Sequence, residues 1–162
     1  YYYRVGNSTT MQIPDANQFF TTLPASNTVR RIRIVAFGDC GRGYIPYQDD
    51  NLSNYRSYLS SNGIDAADAW LLLGDNAYDF GSDADFSSNF FGIYGSTIMK
   101  NHKLYPAPGN HDYANNAGNK ALRNMAYHTN FTVPQSGESG GVASNKQNYY
   151  SFDFPGLVWN RK

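Results

Sequence analysis

Gly38-Asp39-Cys40-Gly41, Gly74-Asp75-Asn76-Ala77-Tyr78 and Gly109-Asn110-His111-Asp112 share one design: a glycine, then a group able to bind a cation or move a proton. Asp39 and Asp75 offer carboxylates, Tyr78 a phenol, Asn110 an amide oxygen and His111 an imidazole. Hard oxygen donors of this kind suit a highly charged cation. One carboxylate can bridge two cations, and two metals about 3.5–4 Å apart can clamp a phosphoryl group and acidify a bound water. The phenol narrows the metal. Free tyrosine titrates at about pH 10, so ligation as phenolate calls for a strong Lewis acid. Ferric iron is the natural choice, with Zn, Mn or Fe(II) in the softer neighbouring position. Taken singly, each motif is an ordinary turn whose Asp bonds its own backbone. His102 and His128 lie in no such motif and read as surface or packing residues. All three motifs in order, each after an apolar run, favour a site.

Those runs are the elements that must position the chemistry. Ala69-Trp70-Leu71-Leu72-Leu73 is too short for a helix and reads as a buried strand. Residues 31–37, with Ile32, Ile34, Val35 and Phe37, predict a strand covered on both faces. Leu104 to Ala107 predicts a third. Asp39 lies 36 residues before Asp75, and Asp75 lies 35 before Asn110. Either interval accommodates a strand–helix–strand crossover. Leu52, Tyr55 and Leu59 recur at helical spacing after Asp49 and Asp50, with Gly63 as the stop. Ser82 and Asp85 have the spacing of a capped helix start, and Phe86, Phe90 and Ile93 follow as a core stripe. Leu122, Met125 and Ala126 suggest a helix after the third motif. The fold class is therefore α/β, with each strand delivering a polar group to the rim where open α/β sheets bind ligands. Residues 135–145 read as a Gly/Ser loop that covers or borders the site, and 149–154 with 157–159 read as a hairpin about Pro155-Gly156.

Ahead of this domain, Tyr1 to Val5 and Gln18 to Thr22 are β-prone and separated by turn residues. Two strands cannot form a stable sheet alone, so residues 1–23 read as the last hairpin of a β-sandwich. The alternative is an N-terminal hairpin that packs on the main domain. Residues 24–30 then act as a linker and 31–162 as the main domain.

With 162 residues and 41% hydrophobic content the chain can build a core. Thirteen Lys+Arg balance 13 Asp+Glu, which argues against nucleic acid or a membrane surface held by bulk charge. No stretch is long and apolar enough to span a bilayer. Cys40 stands alone, so no internal disulfide forms; it reads as a small buried residue. A composition rich in Tyr, Asn, Ser and Gly leans towards a secreted or periplasmic location. Asn7, Asn51 and Asn130 open Asn-x-Ser/Thr triplets.

Gly-Asp-x-Gly, Gly-Asp-x-x-Tyr and Gly-Asn-His-Asp, in that order, resemble the first three signature blocks of the calcineurin-like metallophosphoesterases. Tyr78 resembles the tyrosine of the purple acid phosphatase branch, and residues 1–22 resemble the end of that branch's fibronectin-III-like sandwich. The Glu138-Ser139-Gly140-Gly141-Val142 loop and the Tyr149 to Asp153 strand are similar to bacterial secreted members. The resemblance implies part of an α/β/β/α sandwich, a binuclear metal centre and hydrolysis of small phosphate monoesters. It implies that Asp39 and Tyr78 bind the ferric-type metal, that Asp75 bridges both metals and that Asn110 binds the divalent one. His111 is then the catalytic residue beside the phosphate, assisting the leaving group. Asp112 stands where the family has Asp or Glu and receives no role.

The family's Val-x-x-His and Gly-His-x-His blocks are not in this sequence. The expectation is an incomplete piece of the enzyme: Asp75 and Asn110 alone hold the divalent metal, metal binds weakly and turnover is low. An uncovered sheet face is expected too, open to self-association. The alternative is a non-catalytic secreted protein on the same fold, serving assembly or surface binding.

Overall fold

The structure is a computed structural model that describes residues 1–12, 15–25, 28–43 and 46–154. Three short strands, β1 (Ile34–Phe37), β2 (Ala69–Leu73) and β3 (Leu104–Ala107), form a parallel sheet in that order. Parallel neighbours need crossovers, and helices supply them. Between β1 and β2 runs α1 (Pro46–Ser61), which starts three residues before the aspartates that signalled it and has Asp49 in its first turn. Between β2 and β3 run α2 (Asp83–Asp85), a π turn (Phe86–Phe91), α3 (Gly92–Tyr94) and a 3-10 turn (Ile98–Lys100). The capping box expected at Ser82 is formed: its side chain accepts from Asp85 N, and Asp85 bonds back to Ser82.

Register fixes which side chains share a face. Val35 sits opposite Trp70, and Phe37 opposite Leu72. These four point to one side because alternate strand residues do. There Trp70, with no exposed surface, meets Phe90 at 5.9 Å, Tyr94 at 5.3 Å and Phe37 at 5.5 Å between ring centroids. The buried positions of the second crossover, Phe86, Phe90 and Tyr94, recur every fourth residue. That spacing exceeds the α-helical 3.6, and the wider π turn accommodates it. Truncating a buried aromatic of this kind to Ala costs about 3–5 kcal/mol.

The opposite face departs from expectation. β1 is not covered on both sides: Ile34 is 51% exposed and Ala36 is exposed. Leu73 on the same face of β2 is 64% exposed. β1 is an edge strand, and among the described residues the aromatic cover of this face sits at β3, where Phe152 stacks on Tyr105 at 3.9 Å. The expected strand at 149–154 reduces to one antiparallel bridge, Gly140 to Phe152. The hairpin about Pro155-Gly156 falls outside the described residues.

Residues 1–20 pair antiparallel through isolated bridges, Tyr2 to Phe19 and Gly6 to Met11. They lean on the main domain: the Tyr3 hydroxyl donates to Lys100 O at 2.7 Å, and Asp15 pairs with the Lys100 ammonium. The single helix expected after the third motif is two, α4 (Ala117–Leu122) and α5 (Ala126–Asn130), divided where Arg123 takes a left-handed conformation. No helix among the described residues is long and apolar enough to cross a membrane.

Candidate metal centre

The loops leaving the three strands meet through their main chains. Asp39 N–H donates to Gly74 O at 3.2 Å, and Tyr78 N–H to Gly41 O at 2.9 Å. A Cβ on Gly41 would run into the Asn76 carbonyl, and one on Gly109 into Asp75. Asp39 and Asp75 both take the left-handed region, at φ 54° and 55°. Aspartate tolerates it better than most residues. The two carboxylates are therefore aimed by the same kind of turn.

The Tyr78 hydroxyl lies 2.5 Å from Asp39 Oδ1 and 3.0 Å from Asp75 Oδ2. It carries one proton, which it donates to one of them at a time. The other Asp75 oxygen accepts the His111 N–H at 2.9 Å. His111 Nδ1 lies 2.8 Å from Asp79 O. A carbonyl can only accept, so Nδ1 carries the proton of the neutral ring and Nε2 the lone pair. The His111 ring packs on Tyr78 at 4.1 Å, and the Arg42 guanidinium carbon lies 5.3 Å from the Tyr78 ring centroid. Burial and the two carboxylates push the Tyr78 phenol well above its usual range. A cation among the three oxygens reverses that field.

Of the residues singled out from sequence, the structure gathers Asp39, Asp75, Tyr78 and His111. Asn110 lies on the third loop but is exposed, with its side-chain amide donating to Asn115. Among the described residues no cluster of three or more His, Cys, Asp or Glu side chains could hold a metal. The convergent set is instead two carboxylates and a phenol. Three oxygens this close fit one cation; a second would have only Asp75 from this set.

Sequence reasoning gave Asp112 no role, and the structure does. Asp112 has no exposed surface and accepts from Gly109 N–H at 2.7 Å, Asn76 N–H at 3.1 Å and Asn76 Nδ2 at 3.0 Å. Asn76, equally buried, also donates to Ala107 O at 2.8 Å. Together they staple the second loop to the third. Burial pushes the Asp112 carboxyl up to about 6, against those N–H donors, which pull it down. The sequence signal was available: an acid two residues past Asn110 and an amide between Asp75 and Tyr78. Cys40 is buried as expected, and burial raises its thiol to about 12, far from a reactive thiolate.

Two cavities flank the cluster. One of about 570 Å³ is lined by Asp39, Arg42, Tyr47, Gln48 and Asn51 among others. Another of about 560 Å³ is lined by Asn110, Tyr113, Lys120 and Asn148 among others.

Residues 32–159 match the family model described as calcineurin-like phosphoesterase. That span contains all three loops. No curated protein matches the chain.

Proposed function

Because the chain belongs to the calcineurin-like phosphoesterase family, we propose that its three-loop rim is the oxygen-donor half of a binuclear phosphomonoesterase centre of the purple acid phosphatase kind. Family membership carries the coarser reading, a metal-dependent phosphoester hydrolase. The finer one rests on a single observation, the Tyr78 hydroxyl within hydrogen-bonding distance of both Asp39 and Asp75. A phenol at that position favours ferric iron, with Zn, Mn or Fe(II) as its partner.

In this reading Asp39, Asp75 and Tyr78 hold the first metal, and Asp75 with Asn110 contributes to the second. When bound, the metals supply charge to neutralise the phosphoryl oxygens and activate water. The chain's own groups do the rest. Asp75 anchors the third loop through the His111 N–H. Asp79 O fixes the His111 tautomer, leaving Nε2 as the atom that can hold a proton for the departing alcohol. Residues 1–23 are proposed as the closing hairpin of a fibronectin-III-like domain, and the protein as secreted or periplasmic.

The test loads residues 1–162 with iron and zinc and records visible absorption and cleavage of a chromogenic phosphate ester. Few protein ligands imply weak uptake and little turnover, and an absorption band that Tyr78→Phe abolishes. Equal metal uptake by the wild type and an Asp75→Asn variant would overturn the assignment. The exposed face of Ile34, Ala36 and Leu73 favours a second reading, a non-catalytic assembly protein. A chain that self-associates through that face and takes up no metal would support it.

A further inference from the structure

We infer that Arg42 is the residue that recognises the phosphoryl anion, an assignment that rests on the metal-centre reading above. Its guanidinium lies over the face of Tyr78, the ring whose hydroxyl touches both candidate ligand carboxylates. Arg42 and Asp39 line the same cavity of about 570 Å³. Any anion entering that cavity to reach the cluster passes a permanent cation.

The backbone on each side of Arg42 is pinned. Gly41 O accepts the Tyr78 N–H at 2.9 Å. Gly41 cannot carry a side chain, because Asn76 occupies that space. On the other side Gly43 N–H donates to Gln48 Oε1 at 2.7 Å, and Gln48 Nε2 donates to Asn89 O at 2.9 Å. Gly43 has φ 72°, a conformation that suits glycine. Position 42 is thus held between two fixed points, and its side chain, though exposed, leans on an aromatic face. Preorganisation lowers the entropy cost of engaging a ligand.

Charge gives Arg42 a purpose. The Asp39 and Asp75 carboxylates meet at the Tyr78 hydroxyl and repel a phosphate dianion. The planar fork of a guanidinium matches two phosphoryl oxygens at once, which an ammonium cannot do. A ligand that is merely anionic, such as chloride, gains only the charge; a tetrahedral oxyanion gains the geometry as well.

The experiment is calorimetric titration in two arms on wild type, Arg42→Gln and Arg42→Lys. Zinc alone is titrated first, then inorganic phosphate into the zinc-loaded chain. The expected result is zinc affinity unchanged across the three proteins. Phosphate affinity is expected to fall roughly ten- to hundredfold in Arg42→Gln, the loss of charge-assisted hydrogen bonds. Arg42→Lys should recover only part of it. Phosphate binding by Arg42→Gln equal to wild type overturns the inference. Loss of zinc and phosphate affinity together also overturns it, by making Arg42 a support of the loop. A wild-type chain that takes up zinc but no phosphate refutes the role of Arg42 while leaving the metal reading intact. A wild-type chain that takes up no zinc refutes both.

Discussion

Replacing Asp112 with Ala separates a loop staple from a bystander. Three N–H donors, from Gly109 and Asn76, point at its carboxylate within 3.1 Å, and none of its surface is exposed. Orphaning a buried donor costs about 1–3 kcal/mol each. One effect opposes this. Burial, strong enough to push the carboxyl up to about 6 against those same donors, is a cost that the Ala variant no longer bears. Three orphaned donors outweigh that relief, and the expected net loss is about 3 kcal/mol. Asp112→Asn, which keeps one acceptor oxygen, should lose about half of that. The assay is urea unfolding at neutral pH, followed by the fluorescence of buried Trp70. Combined with Asn76→Ala it forms a double-mutant cycle with an expected coupling of about 1–2 kcal/mol. An unchanged unfolding midpoint for Asp112→Ala, or strict additivity with Asn76→Ala, would refute the reasoning.

Tyr78→Phe should weaken metal uptake by at least the roughly tenfold that loss of a supporting contact costs a metal site; equilibrium dialysis against zinc measures it. Gly41→Ala should destabilise by about 1–3 kcal/mol, because its methyl meets the Asn76 backbone, which cannot swing aside; thermal unfolding checks this. His102 supplies a pH dependence. Burial depresses its pKa from 6.5 to about 4, so the unfolded chain takes up a proton that the folded one refuses. Stability should fall as the pH drops from 6.5 towards 4, by at most about 3 kcal/mol. His102→Gln should flatten that slope, as seen in denaturation midpoints across pH.

The sheet and its rim were legible because strand ends carry strong local signals. The short apolar run at 69–73 stops at Gly74 and that at 104–107 at Pro108-Gly109, and each became a strand with its polar group just beyond. The Ser82 cap was legible for the same reason, since both partners lie within one turn. The exposure of Ile34 was not, because a strand's apolar run says nothing about which neighbours cover it. Nor was the π turn, although burial at every fourth residue hints at it afterwards. Asp112 escaped notice because its partner Asn76 lies 36 residues away, and only the fold brings them together. Asn110 shows the converse: motif position named it, and the local geometry turns its amide to Asn115.

The first two loops join through main-chain atoms, Asp39 N–H to Gly74 O and Tyr78 N–H to Gly41 O, and the third joins the second through His111 N–H to the Asp75 carboxylate. Donor placement is thus written in peptide geometry together with the Asp112–Asn76 staple. An exposed position such as 42 can drift during evolution, or be rewritten by an engineer, without moving the carboxylates, provided that the glycines at 41, 43 and 109 survive. The rim behaves as a reusable chassis on which entry and selectivity can be retuned independently of the Asp39, Asp75 and Tyr78 oxygens.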